Sequence, residues 1–145
     1  QAFQEVKKLS TTESMIVMIR AILHYQHENR HIARLVYREI SLDTILIREV
    51  MTTYLTKEKY YLKTILERGM KEKEFRKLHV SFTIIELKGM LSMPYLHPQY
   101  LSEVLHILPH EPYFVQQYAI ELERWVHTTV CLPYERTNKL RVQLS

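Results

Sequence analysis

The tract from Arg30 to Leu66, RHIARLVYREISLDTILIREVMTTYLTKEKYYLKTIL, repeats its apolar residues every three to four positions. That period matches the 3.6-residue turn of an α-helix and conflicts with the alternation of a half-buried strand. The tract reads as two consecutive amphipathic helices joined by a turn near Ser41-Leu42-Asp43. On the first, Ile32, Val36 and Ile40 fall on one side and Arg30, Arg34 and Arg38 on another. On the second, Ile47, Val50, Met51, Tyr54, Tyr61, Leu62 and Ile65 form the apolar stripe. Glu49, Thr53, Thr56 and Tyr60 lie opposite, with Arg48 at the border.

Two glycines and five prolines in 145 residues leave little turn chemistry for a sheet-rich fold. The expectation is an all-α domain of six to seven helices over residues 1–145. With 46% hydrophobic and 25% charged residues, the chain has enough apolar side chains for a core and is not disordered. The net charge of +4 is spread among acids rather than massed in a block, a weak signal for polyanion binding. A single cysteine, Cys131, excludes an internal disulfide and suits a reducing, cytoplasmic setting. No apolar run approaches membrane length, so no membrane partner is expected. The sequence opens at Gln1 without a methionine, which suggests a piece excised from a longer protein.

Taken in order, residues 1–9 read as the end of a helix begun upstream. Ser10-Thr11-Thr12 supplies capping hydroxyls with Glu13 in the first turn, opening a helix to about Gln26 that buries Met15, Ile19, Ile22 and Leu23. A break follows near Asn29. After Leu66 the charged run ERGMKEKEFRK suggests a helix end at Gly69 and a solvated loop to Lys77. The next helix, about Val80 to Met93, is apolar on two sides: Val80, Ile84, Leu87 and Leu91 on one, Phe82, Ile85, Gly89 and Met93 on the other. Pro94 and Pro98 are expected to break the chain, with a short helix over Gln99–Ile107. Pro112 suits the first position of a final helix to about Leu132. That helix carries a wide stripe of Phe114, Val115, Tyr118, Leu122, Trp125, Val126 and Thr129, and a second column of Tyr113, Ile120 and Cys131. Residues 133–145 read as a polar tail.

Two helices apolar on two sides predict a homodimer in which each chain gives its last two helices to a four-helix interface. Phe82, Ile85, Gly89, Met93, Phe114, Tyr118, Leu122, Trp125, Val126 and Thr129 would form it. The alternative is that both helices are central in a monomer.

Three patterns invite chemistry. His24, His27 and His31 suggest a metal, but the break near Asn29 separates His27 from His31 and no acid converges on them. Cys131 and His127 are one helical turn apart, yet nothing supplies an oxyanion site. No phosphate loop, HExxH or GxSxG occurs, so no catalytic residue, metal, cofactor or enzyme activity is expected. Glu58 points into an apolar stripe, which asks for a paired partner or a ligand pocket with Tyr54 and Tyr61. The strongest polar pattern is the ridge of Arg30, Arg34 and Arg38, whose guanidinium groups repel one another unless something acidic meets them. It reads either as a solvated face partly answered by Glu39 and Glu49 or as a contact surface for an acidic protein or a phosphate backbone.

The order of helices resembles the C-terminal regulatory domain of the TetR family of transcription regulators. The long central helix Asp43–Leu66, the loop opening with Glu67-Arg68-Gly69 and the final helix pair carry that likeness. The wording YQHENRHIARLVYREISLDTILIREVMTTYL, MPYLHPQYLSEVL and PHEPYF is closer still to a TetR-like regulator of the division protein FtsZ in sporulating Bacillus-type bacteria. The resemblance implies a homodimer that contacts an FtsZ-like protein, with Arg30, Arg34, Arg38, Arg48 and Glu49 as the contact residues. A second implied use is sensing of a small ligand. The helix-turn-helix domain that precedes this one in the family is not legible here. DNA binding and nucleoid association therefore belong to an intact protein rather than to any residue of this chain.

Overall fold

The computed structural model describes residues 9–42 and 44–133, and at Leu46, Val50 and Met51 the backbone alone. Asp43, most of the connecting-helix remnant and all but the start of the polar tail lie outside the described residues. Among the described residues there are six α-helices: α1 (Thr11–Glu28), α2 (Arg30–Ile40), α3 (Ile45–Val50), α4 (Thr56–Lys71), α5 (Val80–Leu96) and α6 (Pro112–Trp125). Three π-helical turns join or extend them, at Met51–Leu55, Tyr100–Val104 and Val126–Val130. The all-α expectation holds.

Helix α1 is the axle of the core. Ser10 caps it by accepting from the Glu13 amide at 3.1 Å, while Glu13 Oε2 accepts from the Ser10 amide at 3.1 Å, a reciprocal capping box. Met15, Ile19 and Leu23, spaced at four, are buried on one face. They meet Leu62, Ile65 and Leu66 of α4, Leu87 and Leu91 of α5, and Ala119, Leu122 and Val126 at the end of the chain. As expected, the helix breaks at Asn29, whose side chain donates to the Tyr25 carbonyl at 3.0 Å.

Helix α2 is turned the other way from its expected stripe. Ile32 is 56% exposed and Val36 is exposed as well, while Ala33 is buried. The small Ala33 side chain lets α2 dock closely on α5, and Tyr37 accepts a hydrogen bond from Gln26 Nε2 of α1. Helix α4 also departs from one continuous stripe. A π-turn holds one residue more than an α-turn, so side chains after Leu55 are rotated relative to those before Met51. Ile47, Leu62 and Ile65 are buried, but Tyr54 is 70% exposed and Tyr61 is exposed too. The side chains of Val50 and Met51 lie outside the description.

The charged run after Leu66 is helical for two residues beyond Gly69 and then forms a largely exposed turn in which Phe75 alone is buried. Helix α4 continues to Lys71 and closes with the two hydrogen bonds of a Schellman motif: Lys73 N–H to Met70 at 3.2 Å and Glu74 N–H to Gly69 at 3.0 Å. Lys73 takes the left-handed position with φ 60, the role that sequence assigned to Gly69. Gly69 serves another purpose. A Cβ there would lie 2.1 Å from the ring of Phe75, which is only 2% exposed and packs against the bare backbone. Phase-setting bonds then pin this loop to the chain's end: Arg76 N–H to Val130 O at 2.8 Å and Leu132 N–H to Glu74 O at 2.9 Å. The loop's acids also hold the start of α1. Glu74 accepts from the Thr12 amide at 3.0 Å, and Glu72 from the Thr11 hydroxyl at 2.7 Å. That hydroxyl bond, helped by Arg68, holds the Glu72 carboxyl below its usual range.

Gly69→Ala should therefore destabilise the fold by about 1–3 kcal/mol through overpacking against Phe75. Lys73→Gly should stabilise it by about 0.5–1 kcal/mol, by relieving a left-handed non-glycine residue less glycine's extra chain entropy. Chemical denaturation midpoints of the two variants check both signs.

Candidate functional site

The arginine ridge is the natural place to begin, since a four-residue spacing puts Arg30, Arg34 and Arg38 along one side of α2. All three side chains are exposed. Arg30 and Arg34, together with His31, face a cavity of about 390 Å³. Its far wall comes from Pro94 and Tyr95 at the end of α5, Pro98, Gln99 and Ser102 beyond it, and Pro109 and His110 before α6. Pro94, Tyr95 and Pro109 are buried and form an apolar floor; the arginines and histidines form a basic rim. Arg38 stands outside this lining.

The floor exists because α5 does not stop where expected. Pro94 lies inside the helix, which runs on to Leu96. A proline within a helix has no N–H for the carbonyl four residues back, here Met90. The Tyr118 hydroxyl of α6 donates to that carbonyl at 2.6 Å and fills the gap. One residue past Pro94, Tyr95 is 3% exposed, and its hydroxyl points to the Leu23 carbonyl of α1 at 3.5 Å. Burial pushes the Tyr95 phenol up to about 12 and also raises that of Tyr118. The short helix expected over Gln99–Ile107 is present in shorter form at residues 98–104, and its Tyr100–Val104 part is π-helical, closed by the Leu105 amide on the Tyr100 carbonyl at 3.2 Å.

The rim carries uncompensated charge. Among the described residues no carboxylate pairs with Arg30 or Arg34, and the nearby His110 lies 3.7 Å from Glu111. On the opposite flank of α2, Ile32, Leu35 and Val36 are exposed, continued by Leu42 and Ile45 at the next turn. Arg48 and Glu49 on α3 are exposed too. All five residues expected to meet a partner are thus at the surface, but they do not form one patch, because two of them rim a cavity. The helical period of Ile32, Val36 and Ile40 is that of a core stripe, so the pattern alone does not mark these aliphatics as surface. Ala33, a small residue in the middle of α2, was the sequence signal for the buried side.

The three residues expected to line a ligand pocket, Tyr54, Glu58 and Tyr61, lie at or near the surface. Both tyrosines are exposed, and Glu58 accepts from Lys88 Nζ of α5 at 2.6 Å in a partly exposed ion pair. Glu58 is a paired acid at the border of the core. Its charge, after burial, is the second influence raising the Tyr37 phenol.

The residues expected at a dimer face divide in two. Phe114, Leu122 and Val126 are buried within the protomer. Tyr118, Trp125 and Met93 are half-buried and Thr129 is exposed. On the outer face of α5, Phe82 is 62% and Ile85 65% exposed, and nothing lies within 4 Å of where a Gly89 Cβ would be. Beside that face, Met90, Tyr118, Leu122 and Trp125 line a groove of about 400 Å³ between α5 and α6. Cys131 is buried with Sγ 3.5 Å from Thr12 Oγ1, while His127 is exposed. Among the described residues, no three histidine, cysteine or acidic side chains converge as metal ligands. Nor is any helix among them long and apolar enough to cross a membrane.

Over 127 residues, 88% of this chain, the sequence is 46% identical to a Bacillus subtilis (strain 168) protein described as "Probable HTH-type transcriptional regulator YttP". The chain spans 61% of that protein's length. It is therefore a relative of part of a transcription regulator. No family model matches the chain.

The Tyr95 environment sets an alkaline limit. An unfolded tyrosine ionises near pH 10 and folded Tyr95 only near 12, so the fold keeps its full tyrosine contribution below pH 10 and loses it as pH climbs toward 12. Tyr95→Phe should flatten the fall in unfolding free energy over that window by about 1–2 kcal/mol, read from denaturant titrations at several pH values.

Proposed function

We propose that this chain is the self-associating, protein-contacting domain of a RefZ-like DNA-binding regulator, one that inhibits or positions assembly of an FtsZ-like division protein during sporulation. The observation that carries the first half is α5. Its inner face, Thr83, Leu87 and Leu91, is buried in the protomer. Its outer face shows Phe82 and Ile85 to solvent and ends in the open backbone of Gly89. Burying one such large apolar side chain is worth about 1.5–3 kcal/mol. A two-fold arrangement buries each residue twice, and Gly89 permits two helices to approach closely. Association of this kind sets the separation of two DNA-reading modules in the intact protein. The description of the Bacillus relative supports the DNA-binding half of the reading.

The second half rests on α2 and α3. Exposed aliphatic residues Ile32, Leu35 and Val36 on α2, with exposed Arg38 on the same helix and Arg48 and Glu49 on α3, combine apolar area with mixed charge, the make-up of a protein contact. An acidic partner such as an FtsZ-type protein fits the arginines.

Phe82→Glu combined with Ile85→Glu should halve the light-scattering mass at micromolar concentration, from near twice 17.5 kDa to 17.5 kDa. A wild-type chain already at the lower mass contradicts self-association. Separately, Arg38→Glu and Arg48→Glu should each weaken binding to purified FtsZ-type protein by roughly tenfold while leaving that mass unchanged. Unaltered binding would remove α2 and α3 as the contact face.

A further inference from the structure

We propose that the cavity between α2 and the α5–α6 connection is a binding site for a small phosphate ester of about the size of a nucleoside monophosphate. Three features of the cavity specify that chemistry. The first is charge: Arg30 and Arg34 stand on its rim with no carboxylate partner among the described residues, while His31 and His110, the latter 3.7 Å from the Glu111 carboxylate, add imidazole N–H groups beside them. Four residues along a helix separate the two arginine backbones by about 6 Å, close enough for both guanidinium groups to reach one anion. A phosphate monoester carries roughly −1.5 to −2 charges at neutral pH and three acceptor oxygens, which answers two guanidinium forks. A single carboxylate would leave one fork unanswered.

The second feature is shape. At about 390 Å³ the cavity falls within the range of small-molecule sites and is far larger than a bare phosphate needs. The remaining space is bounded by the buried Pro94, Tyr95 and Pro109, rigid apolar groups suited to a flat organic body. The third is the polar pair Gln99 and Ser102 on the same wall. The Ser102 hydroxyl donates to the Gln99 carbonyl at 3.3 Å and keeps its acceptor lone pairs, and the Gln99 amide can both donate and accept toward a sugar-like linker. The wall is also stiff, since Tyr118 secures the helix through Pro94 and Tyr95 is anchored to α1. A nucleic-acid backbone fits less well: the basic groups rim a concavity instead of forming an extended stripe, and the net charge is only +4.

This site does not depend on self-association or on any protein partner, so binding is read on the 145-residue chain alone. The probes are AMP, ribose 5-phosphate, adenosine, inorganic phosphate and a short DNA duplex, titrated by calorimetry. The expected result is that AMP or ribose 5-phosphate binds in the micromolar-to-millimolar range, with adenosine and inorganic phosphate each weaker by roughly tenfold or more. Arg30→Ala and Arg34→Ala should each weaken the ester by about tenfold. Ser102→Phe, which fills the cavity without touching charge, should weaken it comparably, whereas Arg124→Ala should not. No ester binding below about 5 mM overturns the proposal. So does equal affinity for ester and inorganic phosphate, equal loss from Arg124→Ala, or a preference for the duplex that survives Ser102→Phe.

Discussion

Pro94 takes an amide away from the middle of α5, and the Tyr118 hydroxyl gives the stranded Met90 carbonyl a donor at 2.6 Å. Much of the molecule follows from that replacement. Because the carbonyl is satisfied, α5 continues through Pro94 to Leu96 instead of ending at Met93. Because α5 continues, Tyr95 reaches the interior, where its hydroxyl meets the Leu23 carbonyl of the axial helix. The same turn sets Pro94 and Tyr95 opposite Arg30 and Arg34, so the cavity beside α2 has a wall. The bond also ties α6 to α5 at one end of their groove, while Phe82 and Ile85 are left outward.

Helix α2 shows how a small choice of buried side governs what a surface can do. Its longer apolar residues, Ile32, Leu35 and Val36, are outside, and Ala33 is inside. Two forces favour this. A short side chain permits closer helix approach, and Tyr37 beneath it joins the α1 residue Gln26 by a hydrogen bond that a purely aliphatic contact would lack. The cost is exposed aliphatic area, which is the kind of surface a second molecule covers. The arginines flank the buried line, one side of them over the cavity, so polar and apolar functions are separated on a helix of three turns.

Much of this was legible in the residues and some was not. The capping box at Ser10 and Glu13 was readable because its chemistry is local. The two-sided character of α5 was readable because no polar stripe interrupts it. Phe75 was missed because one aromatic in a charged run has no period, although it is among the most deeply buried side chains. Its partner Gly69 was read as a helix terminator, when its role is to lack a Cβ beneath that ring. Tyr54 and Tyr61 were placed in the stripe by uninterrupted α-helical counting, which the π-turn at Met51–Leu55 defeats. The cavity was beyond sequence reading altogether, since it is created where distant segments meet: Arg30 and Arg34 from one helix, Pro94 to Pro109 from another part of the chain.

The pairing of Tyr118 with the proline-vacated carbonyl is open to a double-mutant cycle. Unfolding free energies are needed for the wild-type chain, Tyr118→Phe, Pro94→Ala and the double variant. With Pro94 present, losing the hydroxyl should cost about 1–2 kcal/mol, because a partly buried carbonyl loses its donor. With alanine at 94 the helix supplies its own N–H to Met90, and the same change should cost markedly less, a coupling of about 1 kcal/mol. Equal costs in the two backgrounds would contradict the account, since Tyr118 would then be packing against α5 without supporting its passage through the proline.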